Sequence, residues 1–273
     1  MKRTWLAMLL LTTAVFGQEG VATTGKLSVR QAGTKEKGRE RNFYITAQGA
    51  HVLPVVKDGA GWSTRFYLTN LENRDVRMFC EHVAKDGAAM VLETNIGRGD
   101  GAQIDLLRYG TFTFATTGTG STLTEGWTYC YADLDADRIG GHIVVRQEGV
   151  DGQPAREFTI PMLPDYAPKF VVPFPDRTAF RSELLLVNTA IETPSTIQVR
   201  LFTRNEISID PITLQPGEQR VIDLTEQFNL VNFTAASLVV EVAEGTKFVT
   251  GTLLRRSDTG GPVVFLPLAE YIE

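Results

Sequence analysis

The sequence predicts an all-β protein, and three observations support this fold class. Short runs rich in β-branched and aromatic residues recur along residues 51–273, with Gly, Pro, Asn and Asp between them, as strands and their turns require. No window of that region sustains the apolar spacing of an amphipathic helix. The runs of the first half return in the same order in the second half, which indicates an internal repeat. We therefore expect two tandem immunoglobulin-like β-sandwich domains after a signal peptide and a short linker.

The first segment, residues 1–17, has the pattern of a secretory signal peptide. Lys2 and Arg3 precede a short apolar run at 5–16 (WLAMLLLTTAVF), and Val15 and Gly17 are small enough for the two small-residue positions before a signal-peptidase cleavage. The alternative is a membrane anchor, but a spanning helix needs about 20 apolar residues. We expect cleavage after Gly17, no transmembrane segment in the mature chain, and export to the periplasm or the outside of the cell.

Residues 18–50 form a basic leader or linker rich in Gly and Thr, whereas the rest of the chain is acidic and the formal net charge of the whole is −5. The basic run at 35–41 (KEKGRER) is typical of a solvated linker, the alternative being contact with an anionic surface. Residues 42–48 (NFYITAQ) are a candidate short strand. The acidic balance argues against a nucleic-acid partner.

The body of the chain divides into two sets of candidate strands. In the first half they are residues 64–69, 76–83, 111–115, 127–132 and 142–146. In the second half they are residues 183–187, 197–202, 220–224, 237–242 and 248–254. Each half closes on an apolar strand that contains proline, at 158–163 and at 263–268.

The two halves align with each other over four segments. The aligned pairs are 62–70 with 180–188, 76–80 with 197–201, 107–110 with 214–217, and 140–146 with 249–255. Each half then has about seven strands, the number in an immunoglobulin or fibronectin type III sandwich. The predicted domains are residues 51–165 and 168–273, and one continuous barrel is the less favoured alternative.

Short motifs mark the places where these strands begin or end. They are a Gly-Trp-Ser-Thr opening at 61–64, strands ending in Asn70 and Asn188, a Gly-Trp pair at 126–127, and an Ile-Gly-Gly hairpin at 139–146. Together they resemble tandem immunoglobulin-like or fibronectin-III-like repeats of uncharacterised exported bacterial proteins. The resemblance covers residues 51–270. It implies an extracytoplasmic module and carries no catalytic residues.

Cys80 and Cys130 each lie inside an apolar strand of domain 1, and the alignment pairs them with Leu201 and Val240. Apolar counterparts indicate that both sulfur atoms point into the core. In an exported protein the natural state of such a pair is an inter-strand disulfide. The alternative is two buried free thiols that fill space.

Asp133, Asp135 and Asp137 alternate between two strands, and oxygen ligands at alternate positions suit Ca²⁺. The EF-hand template fails because Arg138 stands where that loop needs glycine. The favoured interpretation is a solvated acidic hairpin, with a shallow calcium site as the alternative. We expect no other cofactor.

The first copy carries extra residues between Cys80 and Leu107, within 86–103. A long loop on a sandwich is a usual place for binding function. Arg98 and Asp100 belong to an Arg-Gly-Asp tripeptide, the integrin-recognition string, which is common by chance. These two residues are candidates for contact with a partner.

Trp127, Tyr129 and Tyr131 alternate with Thr128 and Cys130, so strand geometry places the three aromatic rings on one face. If Cys130 faces the core, the rings form an outer stripe that is either exposed or covered by the other domain. The alternative places Trp127 in the core and breaks the alternation with a β-bulge. In the first case, the stripe is a candidate surface for a protein or a glycan.

No catalytic motif accompanies these features. His51, His82 and His142 have no metal-ligand spacing, and the chain has no Gly-x-Ser-x-Gly elbow, P-loop or dinucleotide fingerprint. We therefore expect an exported, non-enzymatic binding, adhesion or scaffold protein that contacts protein or glycan at the cell envelope. The alternatives are a secreted hydrolase with a carboxylate pair and a purely structural spacer of a surface assembly.

Overall fold

The computed structural model confirms the all-β prediction. It describes residues 25–30, 50–132, 139–149, 154–164, 168–175, 180–190, 192–203, 206–228, 235–245, 249–257, 264–267 and 269–270. The signal-peptide segment, the candidate strand at 42–48 and the Asp133–Asp137 run lie outside these ranges. Within them, the helix α1 (Leu224–Gln227) is a single turn capped by Asp223, whose carboxylate accepts hydrogen bonds from the backbone of Thr225 and Glu226.

The strands of the first half follow the predicted order. They are β1 (Gly25–Arg30), β2 (His51–Asp58), β3 (Trp62–Asn70), β4 (Val76–Ala84), β5 (Leu92–Thr94), β6 (Gly97–Gly99), β7 (Gly101–Leu106), β8 (Thr111–Ala115), β9 (Thr124–Ala132), β10 (Ile139–Gln147), β11 (Arg156–Pro161) and β12 (Leu163–Pro164).

The main strands of the second half follow the same order as those of the first. They are β13 (Lys169–Pro175), β14 (Phe180–Asn188), β15 (Ser195–Phe202), β16 (Glu206–Ser208), β17 (Ile212–Leu214), β18 (Gln219–Asp223), β19 (Ala235–Gly245), β20 (Val249–Ser257), β21 (Val264–Pro267) and β22 (Ala269–Glu270).

Four antiparallel sheets are built from these strands, and β5 and β6 form a separate hairpin. Sheet 1 has the order β1-β7-β4-β9-β2-β12 and sheet 2 the order β11-β10-β3-β8. Sheet 3 has the order β16-β15-β19-β13-β22, with β17 also paired to β15, and sheet 4 the order β18-β14-β20-β21. Equivalent strands therefore pair in the same way in sheets 1 and 3, and in sheets 2 and 4.

This strand order differs from that of an immunoglobulin domain. The first two strands of an immunoglobulin sandwich lie side by side in one sheet, whereas β2 and β3 lie in sheets 1 and 2, and β13 and β14 in sheets 3 and 4. In the first half the chain changes sheet through Gly59, Ala60 and Gly61, which all have positive φ. Local alternation specifies a strand and its buried face but not its neighbour, so the sequence predicted the strands and not this order.

Each pair of sheets encloses one apolar core, as a β-sandwich requires. In the first half, Met78 and Cys80 of β4 are buried in one cluster with Phe66 and Leu68 of β3. The second half repeats this arrangement with a cluster that joins β15 to β14, and its members include Ile197, Val199, Leu201, Leu184 and Leu186. Among the described residues, no helix is long and apolar enough to cross a membrane.

The two strand-ending asparagines fix the same corner in both halves. The side-chain amide of Asn70 donates to the carbonyl oxygens of Arg74, Leu106 and Leu107 at 2.7, 3.4 and 3.0 Å. Asn188 does the same in the second half, with the carbonyl oxygens of Thr193, Leu214 and Gln215. The Asn70 amide thus connects the turn after β7 to the end of β3. The Asn188 amide connects the turn after β17 to the end of β14 in the same way.

Candidate functional site

The aromatic stripe of β9 lies between the two halves of the protein. Trp127 and Tyr129 are only 1% and 3% exposed, and their rings meet edge to face at 6.4 Å between centroids. The indole Nε1 of Trp127 donates to the carbonyl oxygen of Gly217 in the second half at 3.0 Å. The alternation along β9 is kept, because Thr128 contacts the core residue His82 on the opposite face. The stripe is therefore the outer face of sheet 1, covered by the other half.

The covering surface is the outer face of sheet 4. Leu185 and Val187 of β14 and Leu254 of β20 are buried in the same cluster as the first-half core, whereas Leu184 and Leu186 point into the second-half core. The sheets thus stack in the order 2, 1, 4, 3. This burial overturns the expectation that Trp127 and Tyr129 present a surface to a partner.

Tyr131 is at the margin of this interface and is half-buried. Its ring stacks on Phe79 at 5.3 Å between centroids and lies 5.8 Å from the ring of Tyr129. Its hydroxyl is 3.5 Å from a carboxylate oxygen of Glu81. Of the three predicted aromatic contacts, Tyr131 alone keeps substantial access to solvent.

A turn of the second half, residues 215–218, locks the interface at one end. Gly217 has φ +70°, and a Cβ atom there would lie 2.8 Å from the Cα of Gly87 in the first half. A Cβ on Gly87, which has φ +86°, would lie 2.3 Å from the carbonyl oxygen of Pro216. Backbone meets backbone at this point, so both positions require glycine.

Gln219 also holds the two halves together, with three hydrogen bonds to the first half. Its backbone N–H donates to the carbonyl oxygen of Lys85 at 2.9 Å. Its side-chain amide donates to the carbonyl oxygens of Pro54 at 2.5 Å and Gly126 at 3.1 Å. Since these groups are buried, each would be costly to leave unpaired, and the halves are held in one orientation. Sequence reasoning missed this residue because a single Gln on a strand carries no motif.

A cluster of three charged side chains, Lys57, Lys85 and Glu125, lies beside these hydrogen bonds. Lys57 and Lys85 both pair with the carboxylate of Glu125, Lys57 at 2.5 Å. Burial alone would raise the pKa of Glu125, but the hydrogen bonds and charges of the two lysines outweigh it and lower the pKa. Glu125 is therefore an ionised structural partner, and Lys57 also lies 4.4 Å above the ring of Trp62.

The structure confirms the disulfide between Cys80 and Cys130, which lie directly opposite each other on β4 and β9. The alignment of their counterparts needs one correction. On the equivalent strands, Val199 lies opposite Val240, whereas Leu201 lies opposite Leu238. Val199 therefore replaces Cys80, and the predicted counterpart Leu201 is two residues too far along.

The same register shows that Leu201 and Leu238 replace a buried polar pair of the first half, His82 and Thr128. The Nδ1 of His82 is 2.8 Å from the Thr128 hydroxyl, and the imidazole lies 5.7 Å from the ring of Phe66. Burial lowers the pKa of His82 from 6.5 to about 4. The imidazole is therefore neutral at pH 7 and adds a titratable group to an otherwise apolar core.

We expect this histidine to make stability depend on pH. Between pH 6.5 and 4 the unfolded chain binds a proton at His82 and the folded chain does not, so stability falls as the pH falls through that range. The loss amounts to about 3 kcal/mol if the whole difference in pKa is realised. Urea unfolding at pH 7 and at pH 4.5 measures it.

The double substitution His82→Leu with Thr128→Leu, which copies the second half, is the matched control. It should keep the stability at pH 7 near that of the wild type and reduce the loss at pH 4.5. Equal losses in the wild type and the double variant would show that other groups cause the acid sensitivity.

The extra segment at 86–103 packs onto the sandwich and is not a free loop. Met90 and Leu92 are buried in the first-half core. Asn95 exchanges two hydrogen bonds with Ala115, each 2.9 Å, through its backbone N–H and its side-chain oxygen. Arg98 is exposed on β6, and the carbonyl oxygen of Asp100 accepts a hydrogen bond from the backbone of His82. Arg98 is one of several residues of this segment that stay exposed, together with Val91, Glu93 and Asn95.

Comparison with known proteins does not assign this chain to a family. No protein-family model, curated protein or solved structure matches this chain.

The candidate calcium ligands Asp133, Asp135 and Asp137 fall outside the described residues, and the structure says nothing about them. In the part of the chain that the structure covers, no three His, Cys, Asp or Glu side chains are grouped so that they could hold a metal ion. The structure instead brings together a set of residues whose hydrogen bonds join the two halves: Pro54, Lys85, Trp127, Gly217 and Gln219.

Proposed function

We propose that this chain is an exported, non-enzymatic protein in which two tandem β-sandwich modules form one rigid binding, adhesion or scaffold unit at the cell envelope. Each module resembles an immunoglobulin-like domain in size and antiparallel pairing, with a strand order of its own. The proposed partner is protein or glycan, and no cofactor is invoked.

The observation that carries this proposal is the interface between the halves. It combines an apolar contact, with Trp127 at its centre, with the backbone-to-backbone contact of Gly87 and Gly217 and the hydrogen bonds of Gln219. Interfaces that are large and apolar suppress the relative motion expected of tandem domains. A fixed spacing between modules is useful in a scaffold or spacer, whereas a substrate cleft that opens and closes needs the opposite.

The Cys80–Cys130 disulfide suits an oxidising compartment outside the cytoplasm, so it supports export, which a secreted hydrolase would share. Glu125 lies on the same strand as Trp127, and although burial would raise its pKa, its two lysines lower it, so this one carboxyl group is unsuited to act as the general acid of a hydrolase. The structural-spacer alternative is supported by the same rigid interface and differs in having no ligand.

Expression of the whole chain in a bacterial host tests the export and the rigidity together. The exported protein should begin at Gln18, and ¹⁵N relaxation should give one rotational correlation time for both halves, because they tumble as one body. The variant Gly87→Ala, which places a methyl group against Pro216, should loosen the halves and separate the two correlation times. Two different correlation times in the wild-type protein, or retention of the chain in the cytoplasm, would contradict the proposal.

A further inference from the structure

The interface between the halves joins two unlike surfaces. It packs the outer face of sheet 1 against the outer face of sheet 4. By strand order, sheet 3 is the equivalent of sheet 1, and sheet 2 is the equivalent of sheet 4. The two outermost faces of the stack are therefore the equivalents of the two faces already in contact, and among the described residues neither is covered by the other half. A contact of this head-to-tail kind can be repeated between molecules.

The turn that locks the halves also has an unused equivalent. Residues 107–110 form the same turn in the first half, held by Asn70 as the docked turn is held by Asn188. The hydrogen bonds of Asn70 and Asn188 make Leu107 the equivalent of Gln215, one residue later than the sequence alignment placed it. Tyr109, with φ +54°, therefore stands where Gly217 has φ +70°. Leu71, Leu107 and Tyr109 are 51%, 48% and 64% exposed at this end of the molecule, and we call these three residues the tip.

The surface that receives the docked turn has its own free equivalent, the β15–β16 hairpin. The 215–218 turn of the second half lies against the first-half residues that follow Val83 at the end of β4. Val83 itself is buried. Phe202, at the equivalent position of β15, is 36% exposed, and Ile207 of β16 is 39% exposed. Tyr109 and Phe202 are thus exposed apolar side chains at positions whose equivalents, Gly217 and Val83, are buried where the halves meet.

The charges at the two ends are compatible with contact. Arg108 is exposed within the tip turn, and Glu206, which pairs with Arg200 at 3.6 Å, is exposed at the start of β16. Tyr109 replaces Gly217, so the contact would be made by side chains and not by backbone. The outer face of sheet 3 also carries Gln198 where sheet 1 carries Phe79. A contact between molecules should accordingly be weaker than the one between the halves.

We propose that copies of this protein associate head to tail, with the tip of one molecule docked on the β15–β16 hairpin of the next. The proposal deepens the scaffold function and rests on it, because it names a second copy of the chain as a partner of the rigid unit. Such a contact is heterologous, so it extends to open chains of molecules and does not stop at a symmetric dimer.

Sedimentation velocity of the exported protein, over a wide range of concentration, tests this proposal. The wild type should form dimers and longer species as the concentration rises. Tyr109→Asp and Phe202→Asp each place a charge in the apolar contact and should weaken association about tenfold or more. Leu123→Asp, at a residue exposed to the same extent as Phe202 but outside both surfaces, is the matched control and should associate like the wild type.

Mixing the two variants distinguishes head-to-tail contact from other kinds of dimer. Tyr109→Asp keeps an intact hairpin and Phe202→Asp keeps an intact tip, so the mixture should form a dimer that does not grow further. A wild type that stays monomeric, association that neither variant weakens, or a mixture that fails to dimerise would overturn the proposal.

The circular dichroism and urea unfolding of each variant establish that it is folded before its association is compared. A monomer whose halves still share one correlation time would overturn the head-to-tail inference alone. Halves that tumble independently would contradict the scaffold function on which it rests.

Discussion

Replacing Trp127 with alanine should lower the free energy of unfolding by about 3–5 kcal/mol, the range for removing a fully buried tryptophan. The indole is 1% exposed and lies between sheet 1 and sheet 4, in one buried cluster with Leu185 and Val187, so its removal leaves a cavity in the interface. The substitution also leaves the carbonyl oxygen of Gly217 without its donor. Urea unfolding of the purified protein, followed by circular dichroism, measures the change.

Two variants separate the contributions to this loss. Trp127→Phe keeps most of the apolar volume but removes the indole N–H, so it should cost about 1–3 kcal/mol, the range for an unsatisfied buried acceptor. Trp62→Ala removes a half-buried tryptophan that stacks edge to face on Phe158 outside the interface, and should cost less than Trp127→Ala. Similar losses for Trp62→Ala and Trp127→Ala would contradict a central role for the interface.

The position of Trp127 shows where sequence reasoning reached its limit. The alternation of Trp127, Tyr129 and Tyr131 with Thr128 and Cys130 predicted correctly which side chains share a face. It could not say what covers the outer face, because that depends on contacts with residues far away in the sequence. One available signal was that the run from Trp127 to Ala132 has no charged residue on either face, which is typical of strands buried on both faces.

The internal repeat predicted the strands of both halves but not their register at every point. The segment ending in Asn188 aligned correctly with the one ending in Asn70, because a buried asparagine fixes that corner in each half. After that corner the alignment placed Leu201, and not Val199, on Cys80, since apolar residues alternate with a period of two and a shift by two preserves the pattern. The β1 strand also escaped prediction, although its pairing with β7 extends sheet 1.

The contacts of glycine and glutamine in the interface could not be derived from the sequence. A Gly after Pro216 predicts a turn, and Gly217 does form one. Nothing in the chain indicates that this turn meets Gly87, because a close backbone approach leaves no composition signal. The interface is therefore known only from the structure, whereas the disulfide could be predicted from the sequence.

Removing the Cys80–Cys130 disulfide should be the second large effect. The two residues are separated by 50 positions, and closing a loop of that length stabilises the folded state by about 4 kcal/mol in the chain-entropy model. The double substitution Cys80→Val with Cys130→Val is the sharpest test, because the second half places Val199 opposite Val240 at the equivalent site. The valine pair should pack well, so the loss should come from the missing cross-link and not from a cavity.

Urea unfolding with and without a reductant measures this effect and supplies its control. The wild type should lose about 4 kcal/mol once its disulfide is reduced, whereas the valine variant should show the same lower stability under both conditions. Because the second half has no cysteine, its unfolding should not respond to the reductant if the halves unfold separately; a single transition that shifts as a whole indicates that the interface couples them. A valine variant as stable as the oxidised wild type would show that the cross-link adds nothing to a core already held by Met78, Phe66 and the surrounding strands.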